Sequence, residues 1–364
     1  MLNLRKLFID VFDPQPGETA AVFFDLPHGA IADTDAWRQR RAMAARWHAA
    51  LSELGRERNF AVLPPISFEA TGMNNGPLPT RGAQEESSIA LEEIAGRATL
   101  LLALTEFSAS APLISWTKRF PQLRAASMPR VAPEMEATAL AADYAHVARS
   151  CERLRARLAR AQSAAIEFSS GDRFHLDFRF REAEMDDGRL PRDLPPPRLI
   201  NLPSGEAYTA AYEGERDVPS LTSGVLPVWY ENEIVRLRVE KNRVEEVIGG
   251  SAAAHVFRDF LFLDPARCNV AELGLGCNPM ARVWGNVLED EKAGPHIALG
   301  RSEHLGGVTG PESFREAGNI WHEDFVYARN CPIQIKRLAL LDSHGKAEPL
   351  FVDGSYLPEL EIGI

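Results

Sequence analysis

Carboxylates and imidazoles crowd the last 160 or so of the chain's 364 residues. They stand in Asn201-Leu-Pro-Ser-Gly-Glu206, in Ala271-Glu272-Leu-Gly-Leu-Gly276, in Glu291-Lys-Ala-Gly-Pro-His296-Ile-Ala-Leu-Gly300 and in His322-Glu-Asp324. Each group sets an acidic or imidazole side chain in an apolar, glycine-punctuated segment. Burying an unpaired charge there costs several kcal/mol. A cation is therefore expected among them, and a divalent metal is the simplest candidate.

Position in the secondary structure sharpens this. In an extended segment side chains alternate, so His322 and Asp324 share a face and can grip one ion or two adjacent ions. The flanking Trp321, Phe325 and Val326 favour a strand. His296 opens another strand-like run, and the Ala-Gly-Pro turn before it can fold Glu291 back toward it. Glu272 has no cation close by in sequence, whereas Glu206 ends a Pro-Ser-Gly turn, a place where carboxylates are ordinarily solvated or capping. A lone histidine beginning an apolar strand is ordinarily a core residue. What favours a site is the occurrence of all these groups within one domain.

The elements that must position them change character along the chain. In the first 130 or so residues, apolar runs at Ala20–Asp25, Phe60–Leu63 and Leu100–Thr105 read as buried strands. Between them, residues 34–54 and a segment near Ser87–Ala95 read as helices. Strands separated by helices imply parallel crossovers, hence an α/β N-terminal domain with a parallel sheet. Residues 137–163 predict one long helix, able to bridge two domains. Beyond it Ile166–Ser169, Phe174–Phe180 and Ile234–Val239 alternate at period two, predicting an α+β C-terminal domain with a mostly antiparallel sheet, and Leu190–Arg198 reads as a Pro-rich loop. The boundary is placed near Gln162, giving residues 1–162 and a metal-binding catalytic domain at 163–364.

Composition fits soluble globular domains, with 45% hydrophobic and 25% charged residues. A net charge of -11 argues against nucleic acid or an anionic membrane as partner. No run approaches the roughly 18 apolar residues of a membrane span, and Met1–Ala20 lacks a signal-type apolar core, so a cytoplasmic location is expected. The first half has no glycine-rich phosphate fingerprint after a strand. Cys151, Cys268, Cys277 and Cys331 form no CxxC pair and read as buried thiols rather than a disulfide or zinc framework.

Taken in order, Asn-Leu-Pro-Ser-Gly-Glu, Ala-Glu-Leu-Gly-Leu-Gly-Cys-Asn-Pro, Glu-Asp-Glu-Lys with His-Ile-Ala-Leu-Gly, and His-x-Asp resemble the M29-type metallo-aminopeptidases, the aminopeptidase T group. The resemblance extends to Phe107-Ser-Ala-Ser-Ala-Pro112, although only the C-terminal motifs are specific. It implies two divalent ions (Zn, Mn or Co) held by Glu206, Glu272, Glu291, His296, His322 and Asp324. Glu272 is the bridging carboxylate by analogy, and Glu272 and Glu206 are the expected catalytic residues. Further implications are hydrolysis of the N-terminal residue of a peptide and a homodimer. Carboxylates and imidazoles without thiolates suit that chemistry.

One departure stands out. The family carries a tyrosine a few residues after His-Ile-Ala-Leu-Gly, whereas Arg301–Gly307 has none and offers Glu303 and His304 instead. A second reading therefore stays open. Ring-cleaving dioxygenases of dihydroxypyridines share this general fold, and one non-haem Fe(II) on His296, His322 and Asp324 would meet the usual two-histidine, one-carboxylate requirement. A third is a non-catalytic, peptide- or ligand-binding relative.

Overall fold

The computed structural model describes residues 2–195 and 198–362. They fold as two compact units, one of residues 1–148 with 188–204, the other of residues 149–187 with 205–364.

The first unit is built on one sheet in which Leu199–Asn201 at one edge, then Arg124–Ser127, Leu100–Leu104, Thr19–Leu26 and Ile66–Glu69, run parallel in that spatial order. Leu100–Leu104 is buried throughout, as a strand covered on both faces must be. The helix Asp35–Arg58 starts where Thr34 accepts a hydrogen bond from the Trp37 amide at 3.2 Å, and it buries Trp37, Met43, Trp47 and Leu51 at the predicted spacing. Two expectations need correction. The helix foreseen near Ser87–Ala95 covers only Leu91–Arg97, because Ser87–Ala90 pairs with Arg81–Gln84 as an antiparallel hairpin added to the sheet. The long helix foreseen over residues 137–163 is only Tyr144–Leu158. Asp143 accepts hydrogen bonds from the amides of Ala145 and His146 and so starts a new helix, leaving 3-10 turns before it.

The second unit holds two antiparallel sheets. The larger runs Arg243–Ile248, Glu233–Glu240, Ser223–Tyr230, Arg173–Asp177, Ser163–Phe168, Ile335–Leu341, Ala347–Val352 and Ser355–Tyr356. The smaller runs Glu184–Asp186, Glu206–Ala210, Val270–Gly276, Pro295–Gly300 and His322–Val326, with every neighbouring pair antiparallel. Of the Pro-rich stretch Leu190–Arg198, residues 190–195 and 198 carry no helix or strand, and residues 196 and 197 lie outside the described residues. All four cysteines are buried free thiols, Cys151 and Cys277 with their sulfurs 3.3 Å apart. Among the described residues no helix is long and apolar enough to cross a membrane.

Candidate metal centre

The five-stranded sheet explains how residues far apart in sequence meet. Register places Ala210, Glu272, Ala298 and Asp324 in one cross-strand row and Tyr208, Gly274, His296 and Val326 in the next. Glu206 lies opposite Gly276, and Gly300 opposite His322. Since side chains alternate along a strand, all of these project from the same face. Glu206, Glu272, His296, His322 and Asp324 are each neighboured across the sheet by glycine or alanine, which leaves their polar ends room to converge.

Gly274 shows how tightly that room is used. A Cβ built on it would sit 1.9 Å from His296 Nε2, and the Nε2, Cε1 and Cδ2 side of the imidazole lies over the glycine. The Gly274→Ala protein is therefore expected to fold but to bind divalent ions at least about tenfold more weakly, through displacement of the ring. Calorimetric titration with Zn²⁺ checks this, and unchanged affinity would contradict the placement of His296. Gly276 does the same for backbone, because Glu291 to Gly294 passes directly over it. A Cβ there would meet the Glu291 carbonyl oxygen at 2.2 Å.

Two groups of donors result. Glu206, Glu272 and His296 form one, and Glu272, His322 and Asp324 the other. His296 Nε2 lies 3.5 Å from Glu206 Oε2, 3.7 Å from Glu272 Oε1 and 3.9 Å from Asp324 Oδ1. His322 Nε2 lies 3.6 Å from Glu272 Oε2 and 3.4 Å from Asp324 Oδ1. Donors bound tetrahedrally to one ion at about 2.1 Å are about 3.4 Å apart, so these spacings approach those of a ligand set. Glu272 turns one oxygen to each histidine. The buried oxygens Glu206 Oε2 and Asp324 Oδ1 accept no hydrogen bond. In a native interior such atoms call for an explanation, and a bound cation is a sufficient one. The His322 Nδ1 lies 2.7 Å from the Arg301 carbonyl oxygen, so Nδ1 carries the proton and Nε2 is left to face the carboxylates.

The electrostatics agree. Burial alone would lower the proton affinity of both imidazoles, but the facing carboxylates outweigh it and raise each to about 10: Glu272, Asp324 and Glu206 for His296, Asp324 and Glu272 for His322. Burial likewise opposes ionisation of Asp324, yet the two imidazoles and Lys292 hold its carboxyl well below the usual range. The face thus demands positive charge, which protons supply when no metal does. Because a metal binds only unprotonated imidazole, ion uptake at pH 8 is expected to release up to two protons, and affinity should fall as pH falls below 10. Calorimetry in two buffers of different ionisation enthalpy measures that release, and none would be seen if the histidines were not ligands.

The structure brings five of the sequence-predicted residues into the two groups and leaves Glu291 outside both. The Glu291 carboxylate pairs with Lys292, whose ammonium also lies 2.6 Å from Glu206 Oε1 in a fully buried position. Lys292 was visible in the Glu-Asp-Glu-Lys motif, but its burial had no signal in one sequence. Tyr208 is a second unforeseen member. Two residues after Glu206 on the same strand, its phenol faces the donors. Burial and the Glu206 and Glu272 carboxylates push it well above its ordinary value, so it keeps its proton. Glu303 pairs with Arg301 rather than with the donor groups. Although burial opposes this, Arg301 and His304 bring it down to about 2. The His304 ring packs edge-on to His322 at 5.1 Å between centroids.

No protein-family profile matches the sequence, and no curated protein matches it either. Solved structures do resemble it. The 2,5-dihydroxypyridine dioxygenase from Pseudomonas putida KT2440 superposes with a TM-score of 0.66 over 99% of this chain and 98% of its own, at 16% identity. Wild-type AmpT from Thermus thermophilus superposes with a TM-score of 0.58 over 98% of this chain and 99% of its own, also at 16% identity. Across nearly its whole length, the chain has a fold similar to those of a dioxygenase and of AmpT.

Proposed function

We propose that this chain is a divalent-metal-dependent hydrolase of the aminopeptidase type, removing N-terminal residues from peptides at a two-ion site. The observation that carries the reading is Glu272, a buried carboxylate with one oxygen directed at each of two histidines. That arrangement suits a carboxylate shared by two ions, with Glu206 and His296 completing one set and His322 and Asp324 the other. Such ions, when bound, supply Lewis-acid polarisation of a carbonyl and a water acidified toward neutral pH. The chain's own groups do the rest. Lys292 fixes Glu206 from the side away from the histidines, the Arg301 carbonyl fixes the His322 tautomer, and Tyr208 offers a neutral phenol donor beside Glu206. Glu206 and Glu272 are the residues to which turnover is assigned; a cytoplasmic homodimer is the proposed form.

A second reading has its own support. The likeness to the dihydroxypyridine dioxygenase favours one Fe(II) on His296, His322 and Asp324, with Glu206 neutralised by Lys292 instead of by an ion. Metal identity and stoichiometry, measured by mass spectrometry on protein purified without chelator, decide between them. Two equivalents of Zn, Mn or Co together with release of amino acid from aminoacyl-nitroanilides are expected. One iron with oxygen uptake would replace the hydrolase by the oxygenase.

A further inference from the structure

The strand His322–Val326 is the outermost of its sheet, and a cavity of about 600 Å³ runs along its outer edge. The cavity is lined by Glu323, Asp324, Phe325 and Val326 of this strand, so one candidate ligand is among its lining residues. Its walls are aromatic, with Trp229, Tyr230, Phe257, Trp284 and Trp321 among the lining residues.

Trp284 is the informative wall. It is 46% exposed, yet both its backbone amide and its indole are hydrogen-bonded. The Asp290 carboxylate accepts hydrogen bonds from the Trp284 and Gly285 amides, both at 2.9 Å. Glu289, fully buried, accepts one from the indole Nε1 at 2.9 Å and another from the Arg282 amide at 3.0 Å. Two acidic side chains, immediately before Glu291 and Lys292 in sequence, are committed to presenting one exposed indole. An aromatic surface fixed in advance loses little freedom when a flat apolar group stacks on it.

We propose that this groove is the subsite for an aromatic group of the substrate, with Trp284 as its rigid stacking wall and the substrate's polar end reaching the metal face at Asp324. The inference rests on the metal reading of that face and adds the substrate's chemical class. An aromatic group can belong to an amino-acid side chain or to a free ring, and the test separates these.

Zn²⁺-loaded full-length protein is titrated calorimetrically with L-phenylalaninamide, L-alaninamide and 2,5-dihydroxypyridine. The phenylalanine amide is expected to bind at least about tenfold tighter than the alanine amide. Trp284→Ala should bring the two affinities together while metal content stays that of the parent, and Glu289→Gln, which loosens the indole without removing it, should narrow the gap. Tight binding of the dihydroxypyridine with no preference between the amides assigns the groove to a free ring. Equal amide affinities with no dihydroxypyridine binding overturn the proposal. So does a Trp284→Ala protein that keeps the preference but becomes monomeric by light scattering, which would mean a second copy covers the groove. A preference for the phenylalanine amide with no cleavage of any aminoacyl-nitroanilide leaves the groove standing and removes the hydrolase reading alone.

Discussion

Glu272→Gln protein is expected, on the two-ion reading, to hold at most one divalent ion, with affinity lowered at least about 100-fold. The amide keeps the size and outline of the carboxylate but carries no charge, and only one of its two polar atoms can donate a lone pair. In the parent, both oxygens are used: Oε1 lies 3.7 Å from His296 Nε2, and Oε2 lies 3.6 Å from His322 Nε2. Loss of a group that merely orients a ligand weakens metal binding by about 10–100-fold, so loss of a shared ligand should exceed that range. Hydrolytic turnover should fall below detection while the circular dichroism spectrum is unchanged. The variant also separates the two readings. An enzyme using a single iron on His296, His322 and Asp324 would keep one equivalent after this change, and its affinity would move far less. Two ions retained at parental affinity would remove Glu272 from the centre of the site.

Why the sequence disclosed this much follows from the sheet. A strand carries its own geometry, so His322 and Asp324 on one face, and a strand beginning near His296, follow from alternation and the apolar neighbours. Strand order and register do not, because they depend on pairings between residues as far apart in sequence as Glu206 and Gly276. Only those pairings put Gly274 under His296, and only they bring Glu206 across from Gly276 and under Lys292. The sequence therefore showed Glu291 as a donor near His296, but not that a neighbouring ammonium would engage it. In the first unit a pairing close in sequence also overrides local pattern at Ser87–Ala90, where a helix was suggested and pairing with Arg81–Gln84 makes a hairpin. The breaking of the long helix at Asp143 was a local event, and its signal, an aspartate able to cap the amides of Ala145 and His146, was present in the sequence. The tyrosine missing after Gly300 also takes a different aspect in three dimensions. Tyr208, on another strand, lies on the donor face, a placement that linear spacing does not express.

Lys292→Met protein is expected to lose about 3–5 kcal/mol of stability when metal-free, a drop in melting temperature on the order of 10 °C for a domain of this size. Methionine fills similar volume without charge, so the loss isolates the ammonium. That ammonium is fully buried, 2.6 Å from Glu206 Oε1, and is also paired with Glu291. Burial by itself would lower its proton affinity, yet the Glu206 and Glu291 carboxylates raise it well above the usual lysine value, which means the charged form is the one the fold holds. Without it, Glu206 keeps only the His296 imidazole, 3.5 Å from Oε2, and Glu291, already pushed up by burial, loses the cation that opposes the shift. A carboxyl whose proton affinity is higher folded than unfolded contributes stability at low pH that disappears as pH rises through its folded value. The deficit of the variant should consequently grow as pH rises from acid toward neutral and Glu291 gives up its proton. Scanning calorimetry at several pH values in the presence of chelator measures this directly. Added Zn²⁺ should raise the melting temperature more in the variant than in the parent, since an ion beside Glu206 replaces part of the missing charge. A variant as stable as the parent at neutral pH would show that the buried ammonium is not needed to offset the carboxylates beside it. Lys292 would then not be the group that keeps Glu206 ready for a metal.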